Sequence, residues 1–196
     1  MRRIVVLIIA LFLATDTVYG LDRCEGLIGD VKTASARYFG PTFPWHYSVG
    51  QLRAESNCKS SVTAFDGGMG VAQFMPKTSK YIQSLMGEAL DPYNSQHAVK
   101  MQAFYLARIH SKENWTKKLF VSYQIYNGGA GNLRAEYNRA GKIVDWDKMR
   151  QACKRKVITL KSGALLDFCT VNYDYPVRIE KYARPYKKIP DSMLFW

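Results

Sequence analysis

A chain of 196 residues that is 47% hydrophobic and 13% aromatic is long and apolar enough to bury one core, which excludes a disordered polymer. Its 28 Lys and Arg residues against 16 Asp and Glu give a formal net charge of +12, which favours a polyanionic partner through steering and weak surface binding. No aromatic-basic RNA-binding pattern accompanies the charge, so nucleic acid is set aside as a partner.

The chain opens with "MRR", then the uncharged apolar run Ile4 to Ala14, then Val18-x-Gly20. That order reads as a secretory signal peptide over residues 1–20, cleaved near Gly20. The apolar run falls short of the roughly 20 residues a spanning helix needs, so no stable membrane insertion is expected. Removing the leader leaves 26 basic and 15 acidic residues, a net +11. An exported protein with that charge, periplasmic or extracellular, meets anionic cell-wall polymer rather than nucleic acid. Export also favours disulfides. Cys24, Cys58, Cys153 and Cys169 are an even set and imply two bridges. No cysteine pair has metal-ligand spacing, and His46, His97 and His110 lie far apart in sequence, so no metal is expected.

Residues 21–196 read as a single domain, since no repeat, low-complexity run or Pro/Ser-rich linker divides them. "CEGLIGDVKTASARYFG" is an opening helix closed by Gly40. "WHYSVGQLRAESN" places Val49, Leu52 and Ser56 at helical spacing, with Glu55 in the last turn. "PKTSKYIQSLMG" is a helix with Pro76 at its start and Gly87 as its stop. "NSQHAVKMQAFYLARIHS" puts Ala98, Met101, Tyr105 and Ile109 on one face. "WTKKLFVSYQIYNGG" follows in register through Leu119, Tyr123 and Tyr126, and a glycine pair ends it. "NLRAEYNRA" and "DWDKMRQAC" are shorter helices. "KVITLKSGALLDF" holds two aliphatic runs around Lys161-Ser162-Gly163, the mark of a hairpin. "DYPVRIEKYARPY" returns to helix, with Pro176 in its first turn and Pro185 at its end. The fold class is mainly α with one small β-hairpin insertion. Cys153 and Cys169 bracket that insertion, which suggests Cys153–Cys169 and leaves Cys24–Cys58; the other two pairings stay open.

The stretch "RAESNCKSSVTAFDGGMGVAQFMP" carries the chemistry. A glutamate at a helix end, beside a flexible Gly-rich loop, is partly desolvated without being buried. Apolar neighbours such as Met69, Phe74 and Met75 disfavour its charged form and raise its pKa, as a general acid near neutral pH requires. Ser56 and Gln73 add hydrogen-bonding groups suited to sugar. Two further aromatic-amide edges follow, "YQIYNGGAGN" and "NYDYPVRIEKYARPY".

Together these motifs resemble the soluble lytic transglycosylases, goose-lysozyme-like cleavers of peptidoglycan. The family pattern runs E-S, G-x-M-G-x-x-Q-x-M-P, D/N-P-x-x-N, A-Y-N-x-G-x-G-x, then a Tyr-containing helix. Here stand Glu55-Ser56, Gly67 to Pro76, Asp91-Pro92-Tyr93-Asn94 and Ile125 to Asn132. The resemblance covers residues 47–132 and extends weakly to Tyr182. It implies a lysozyme-like fold with Glu55 as catalytic acid/base and Ser56 as its hydrogen-bonding neighbour. Met69, Gln73, Tyr126 and Asn127 match residues lining the family's glycan groove, and Tyr175 stands for the tyrosine of the last helix. Two positions depart: Val171-Asn172-Tyr173 stands where E-T-R often precedes that tyrosine, and Ile125 replaces alanine.

Glycosidases usually pair two carboxylates, about 5–5.5 Å apart when retaining and about 6.5–9.5 Å when inverting. The motif offers only Glu55. The resemblance implies that the substrate supplies the rest. Glu55 protonates the bond between N-acetylmuramic acid and N-acetylglucosamine, the N-acetyl group stabilises the cation, and the C6 hydroxyl closes a 1,6-anhydro ring. Peptidoglycan glycan strands are then the partner, and no cofactor enters. An alternative is a hydrolytic lysozyme in which Asp66 positions a water with Glu55, although Asp66 before Gly67-Gly68 also suits a turn. A non-catalytic wall-binding protein is the third reading, and the presence of Glu55 argues against it. Export is also compatible with a partner in a secretion, conjugation or phage machinery.

Overall fold

The computed structural model describes residues 23–159, 163 and 165–187. The signal-peptide assignment over 1–20, and Lys161-Ser162 of the hairpin turn, lie outside the described residues. The architecture is mainly helical with a two-stranded antiparallel sheet, the class expected from the sequence. The chain divides into two compact units, one ending at Ala103 and one beginning at Phe104.

The first unit contains α1 (Ile28–Phe39), α2 (His46–Ser56), α3 (Pro76–Met86) and most of α4 (Ser95–Arg108). Its core includes Val31, Tyr47, Val49, Leu52, Val71, Phe74, Ile82 and Met101, all buried; each large apolar side chain so enclosed stabilises by roughly 1.5–3 kcal/mol. A buried polar pair joins α4 to α2, where Gln102 Nε2 donates to Gln51 Oε1 at 2.6 Å. α1 packs on α2, and the Cys24–Cys58 disulfide ties the start of this unit to the residues just past α2. Pro76 is the first residue of α3 and Gly87 caps its end. Asn94 starts α4, its Oδ1 accepting the N–H groups of Gln96 and His97 at 3.0 and 3.1 Å, the preferred role of Asn at a helix N-terminus.

The second unit continues through a π-helical turn (Ile109–Glu113), α5 (Leu119–Gly128), α6 (Ala130–Arg139), α7 (Trp146–Gln151), β1 (Val157–Thr159), β2 (Leu165–Asp167), α8 (Phe168–Ala183) and a 3₁₀ turn (Arg184–Tyr186). α5 packs along α8, and Leu106, Tyr123, Ile125, Leu133, Tyr173 and Ile179 are buried. β1 and β2 pair Val157 with Asp167 and Thr159 with Leu165. The Cys153–Cys169 disulfide closes the base of this hairpin.

Two helix boundaries differ from the sequence expectation. Trp115 to Lys118 precede α5 rather than opening it, because the Asn114 side chain organises a turn there. Its Oδ1 accepts from Thr116 N–H and Lys117 N–H, while its Nδ2 donates to the Lys118 carbonyl at 2.7 Å. Pro176 lies inside α8, not in a first turn. The helix starts earlier because Asp167 caps it, accepting from Cys169 N–H at 2.9 Å and Thr170 Oγ1 at 2.7 Å. Those bonds hold the Asp167 carboxyl below its ordinary range, the Thr170 hydroxyl contributing most.

Candidate functional site

In the first unit, α2 delivers Glu55 half-buried in its last turn. The helix stops because Asn57 turns left-handed at φ 55°, with Cys58 following at φ 58°, and the bridge to Cys24 holds that reversal. Ser56 does not stand idle beside Glu55: its Oγ donates to the Val71 carbonyl at 2.9 Å and accepts Lys59 N–H at 3.1 Å. One hydroxyl thus fastens the glycine loop to the end of the glutamate helix.

That loop carries a network of backbone hydrogen bonds that its glycine content alone did not announce. Met69 and Phe74 exchange backbone hydrogen bonds at 3.1 and 3.2 Å, Gly70 N–H donates to the Val62 carbonyl at 2.9 Å, and Ala64 N–H to the Gly68 carbonyl at 2.8 Å. Gly70 has φ +66°, and a Cβ there would lie 1.9 Å from the Pro92 carbonyl oxygen. Only glycine lets the Asp91–Asn94 turn approach so closely. Thr63 and Tyr93 hydroxyls, 2.8 Å apart, add a second tie to the same turn. Gln73 is held left-handed at φ 50°, with Nε2 donating to the Gly70 carbonyl at 2.7 Å. Met69 is half-buried. Asp66 is exposed, and its Oδ1 accepts Gly68 N–H at 3.2 Å, the bond expected of a turn aspartate. Glu55, Ser56, Met69 and Gln73 therefore belong to one locally bonded segment of the first unit.

The remaining candidates lie in the second unit. Tyr126 is half-buried at the end of α5, its ring 5.5 Å from that of Tyr105. Asn127 is exposed on the surface but not loose, because its Nδ2 donates to Asn172 Oδ1 at 3.0 Å. Tyr175 is buried, with the Arg178 guanidinium 5.9 Å from its ring centre.

Four residues absent from the sequence-based candidates lie near the Asn127 turn, of which Asn172 bonds to Asn127 directly. Asn172 is buried. Glu136 is buried and paired with Arg155, whose Nε lies 2.6 Å from Oε1 and Nη2 3.3 Å from Oε2. The Tyr173 hydroxyl donates to Glu136 Oε2 at 2.8 Å. Burial, and then that bond, hold the phenol protonated far above its ordinary range. The only hint of this group in the sequence is the Val171-Asn172-Tyr173 stretch standing in the E-T-R slot. Among the described residues no group of three or more His, Cys, Asp or Glu could hold a metal ion, and no helix is long and apolar enough to cross a membrane.

A family model described as "Transglycosylase SLT domain" matches residues 47–148, just over half of the chain. No curated protein matches the sequence. Among solved structures, the 70 kDa soluble lytic transglycosylase SLT70 from Escherichia coli is similar at a TM-score of 0.62 and 17% identity, over 84% of this chain and 26% of that one. This chain thus spans about a quarter of that protein's length. At such identity the likeness speaks for the fold, and it bears out the expected lysozyme-like, α-rich architecture.

Proposed function

Since the chain belongs to the transglycosylase SLT domain family, we propose that it is an exported peptidoglycan lytic transglycosylase with Glu55 as its single acid/base. The observation that carries this reading is the extent of the family match. Residues 47–148 take in Glu55-Ser56, the Gly67 to Pro76 loop and Tyr126-Asn127 in the family's order. The Ser56 bond to Val71 supports it, because it holds the loop against the helix end that presents the carboxyl.

In the proposed reaction the Glu55 carboxylic acid gives its proton to the glycosidic oxygen between N-acetylmuramic acid and N-acetylglucosamine. The C1–O bond breaks, and its electron pair leaves with the N-acetylglucosamine hydroxyl. The substrate's own N-acetyl oxygen stabilises the cation at C1. Glu55, now a carboxylate, takes the proton of the C6 hydroxyl as that oxygen bonds to C1. A 1,6-anhydro ring forms, the acid is regenerated, and no water is consumed. By their places in the family motifs, Met69 and Gln73 of the first unit and Tyr126 and Asn127 of the second are assigned to glycan binding, and Tyr175 matches the tyrosine of the family's last helix. The turn bond of Asp66 to Gly68 favours this route over hydrolysis, because it gives that carboxylate a structural role.

Digestion of purified sacculi tests the reading. Wild type is expected to release muropeptides lighter by one water than lysozyme products. Glu55→Gln keeps shape and hydrogen-bonding edge but loses the titrating proton, so turnover should fall by about 10²–10⁴-fold while glycan binding survives. Asp66→Asn should cost far less. Reducing-end sugars in the digest, with Asp66→Asn as inactive as Glu55→Gln, would establish a hydrolase instead.

A further inference from the structure

We propose that Asn172, Arg155 and Glu136 are positioning residues for Asn127, and that the disulfide-closed hairpin insertion, which carries Arg155 and ends just before Asn172, serves to hold this support in place. The proposal rests on the reading of Asn127 as a glycan-binding residue.

Asn127 sits in the last turn of α5 with its side chain exposed. An exposed amide normally samples several rotamers and both flip states, so it offers a sugar no fixed donor or acceptor. Here Nδ2 is committed to Asn172 Oδ1 at 3.0 Å, which leaves Asn127 Oδ1 and the second N–H for a ligand. Asn172 can hold it there because it is enclosed: it is 1% exposed, on α8, which packs along α5.

Gly128, the next residue, shows how tightly the support is built. A Cβ at Gly128 would lie 2.1 Å from Arg155 Nη1 and 2.5 Å from Asn172 Oδ1, so both side chains press on the backbone that carries Asn127. Arg155 is anchored in turn by Glu136 through Nε and Nη2, a two-nitrogen grip that fixes the plane of the guanidinium. Tyr173 holds the far oxygen of Glu136.

The insertion connects these parts. Arg155 lies two residues after Cys153, and Asn172 lies three after Cys169. The bridge between those cysteines therefore pins both supports, and Arg155 N–H also donates to Cys169 Sγ at 3.3 Å. The insertion thus carries Arg155 and adds a covalent tie to the start of α8, which already packs along α5 behind the Asn127 turn.

The test uses the full chain with three single variants. Asn172→Leu removes the acceptor at similar volume, Asn172→Asp keeps an acceptor oxygen, and Arg155→Lys keeps the charge but loses the fork. On isolated glycan strands, Asn172→Leu is expected to raise KM about 3–10-fold, the worth of one net hydrogen bond, with kcat within about twofold. Asn172→Asp should restore KM, and Arg155→Lys should fall between. In an Asn127→Ala background, Asn172→Leu should change KM no further, because its effect passes through Asn127. Independently of turnover, the side-chain amide resonances of Asn127 should shift and broaden in Asn172→Leu and recover in Asn172→Asp. If Asn172→Leu fails to fold, Arg155→Lys carries both readouts. A wild type that does not cleave glycan refutes the proposed function and leaves the resonances to decide the positioning. Unmoved Asn127 resonances, or a KM change that persists undiminished in Asn127→Ala, would overturn the proposal.

Discussion

The glycine loop after Glu55 and the surroundings of Asn127 present site residues by opposite means. The loop is built from backbone: its bonds join residues close in sequence, its side chains bond mainly to carbonyls and N–H groups, and its tightest contact is a glycine against the Pro92 carbonyl. The Asn127 support is built from side chains that converge from α5, α6, α8 and the segment before β1, with a buried ion pair at its centre. A backbone-built site tolerates most side-chain changes but fails where a Cβ intrudes. A side-chain-built site fails when any one partner is removed, because the others are left buried and unsatisfied.

The largest effect should come from breaking the second region. Glu136→Ala strands the Arg155 guanidinium, and such losses typically cost about 3–5 kcal/mol. Urea unfolding should show it, whereas Glu136→Leu combined with Arg155→Met and Tyr173→Phe, which leaves none of the three polar partners stranded, should recover most of the stability. A loss in Glu136→Ala of well under 1 kcal/mol would mean the pair is no more than decoration. The first region should break at its glycine. Gly70→Ala must exceed the roughly 1–2 kcal/mol of a left-handed alanine, since the Cβ would meet Pro92 O at 1.9 Å. Gly87→Ala, at a similar φ of +67° with nothing within 4 Å, should cost only that backbone penalty. Equal melting temperatures for the two variants would refute the close-approach argument.

A smaller loss is expected for Ser56→Ala, about 0.5–1.5 kcal/mol for the bond to Val71, measurable by the same denaturant titration. The smallest effect concerns pH. Burial, then the Lys117 charge, hold His110 below its ordinary value of 6.5, so the fold prefers its neutral ring while the unfolded chain takes up the proton. Stability should be full above pH 6.5 and decline as pH falls below it. Asp167 and Glu88, also lowered, contribute stability that is full above their ordinary 3.8 and 4.5 and is lost only as pH falls below those values. Thermal melts from pH 7 to 5 should therefore flatten in His110→Asn, and an unchanged slope would rule this residue out.

By itself the sequence determined whatever depends on neighbours along the chain. Helical spacing announced α2 and α4, Gly87 sits where a helix stops, and Glu55-Ser56 with the Gly67 to Pro76 run marked the family. Cysteines bracketing a β-branched run suggested Cys153–Cys169 and left the other two pairings open; the fold pairs Cys153 with Cys169 and Cys24 with Cys58. What escaped was decided by distance in the fold. Glycine permits motion and close approach alike, and only the Pro92 contact shows that Gly70 is needed for close approach. Pro176 looked like a helix start because its missing N–H suits one, yet Asp167 caps the helix two turns earlier. Asn127 was legible as a candidate while its bonded neighbours were not, since Asn172 lies 45 residues away and Arg155 reaches Glu136 across 19. Hydrogen bonds and ion pairs between such positions leave no periodicity in a sequence, because nothing but the packing of α5 against α8 and the closing of the hairpin brings the partners together.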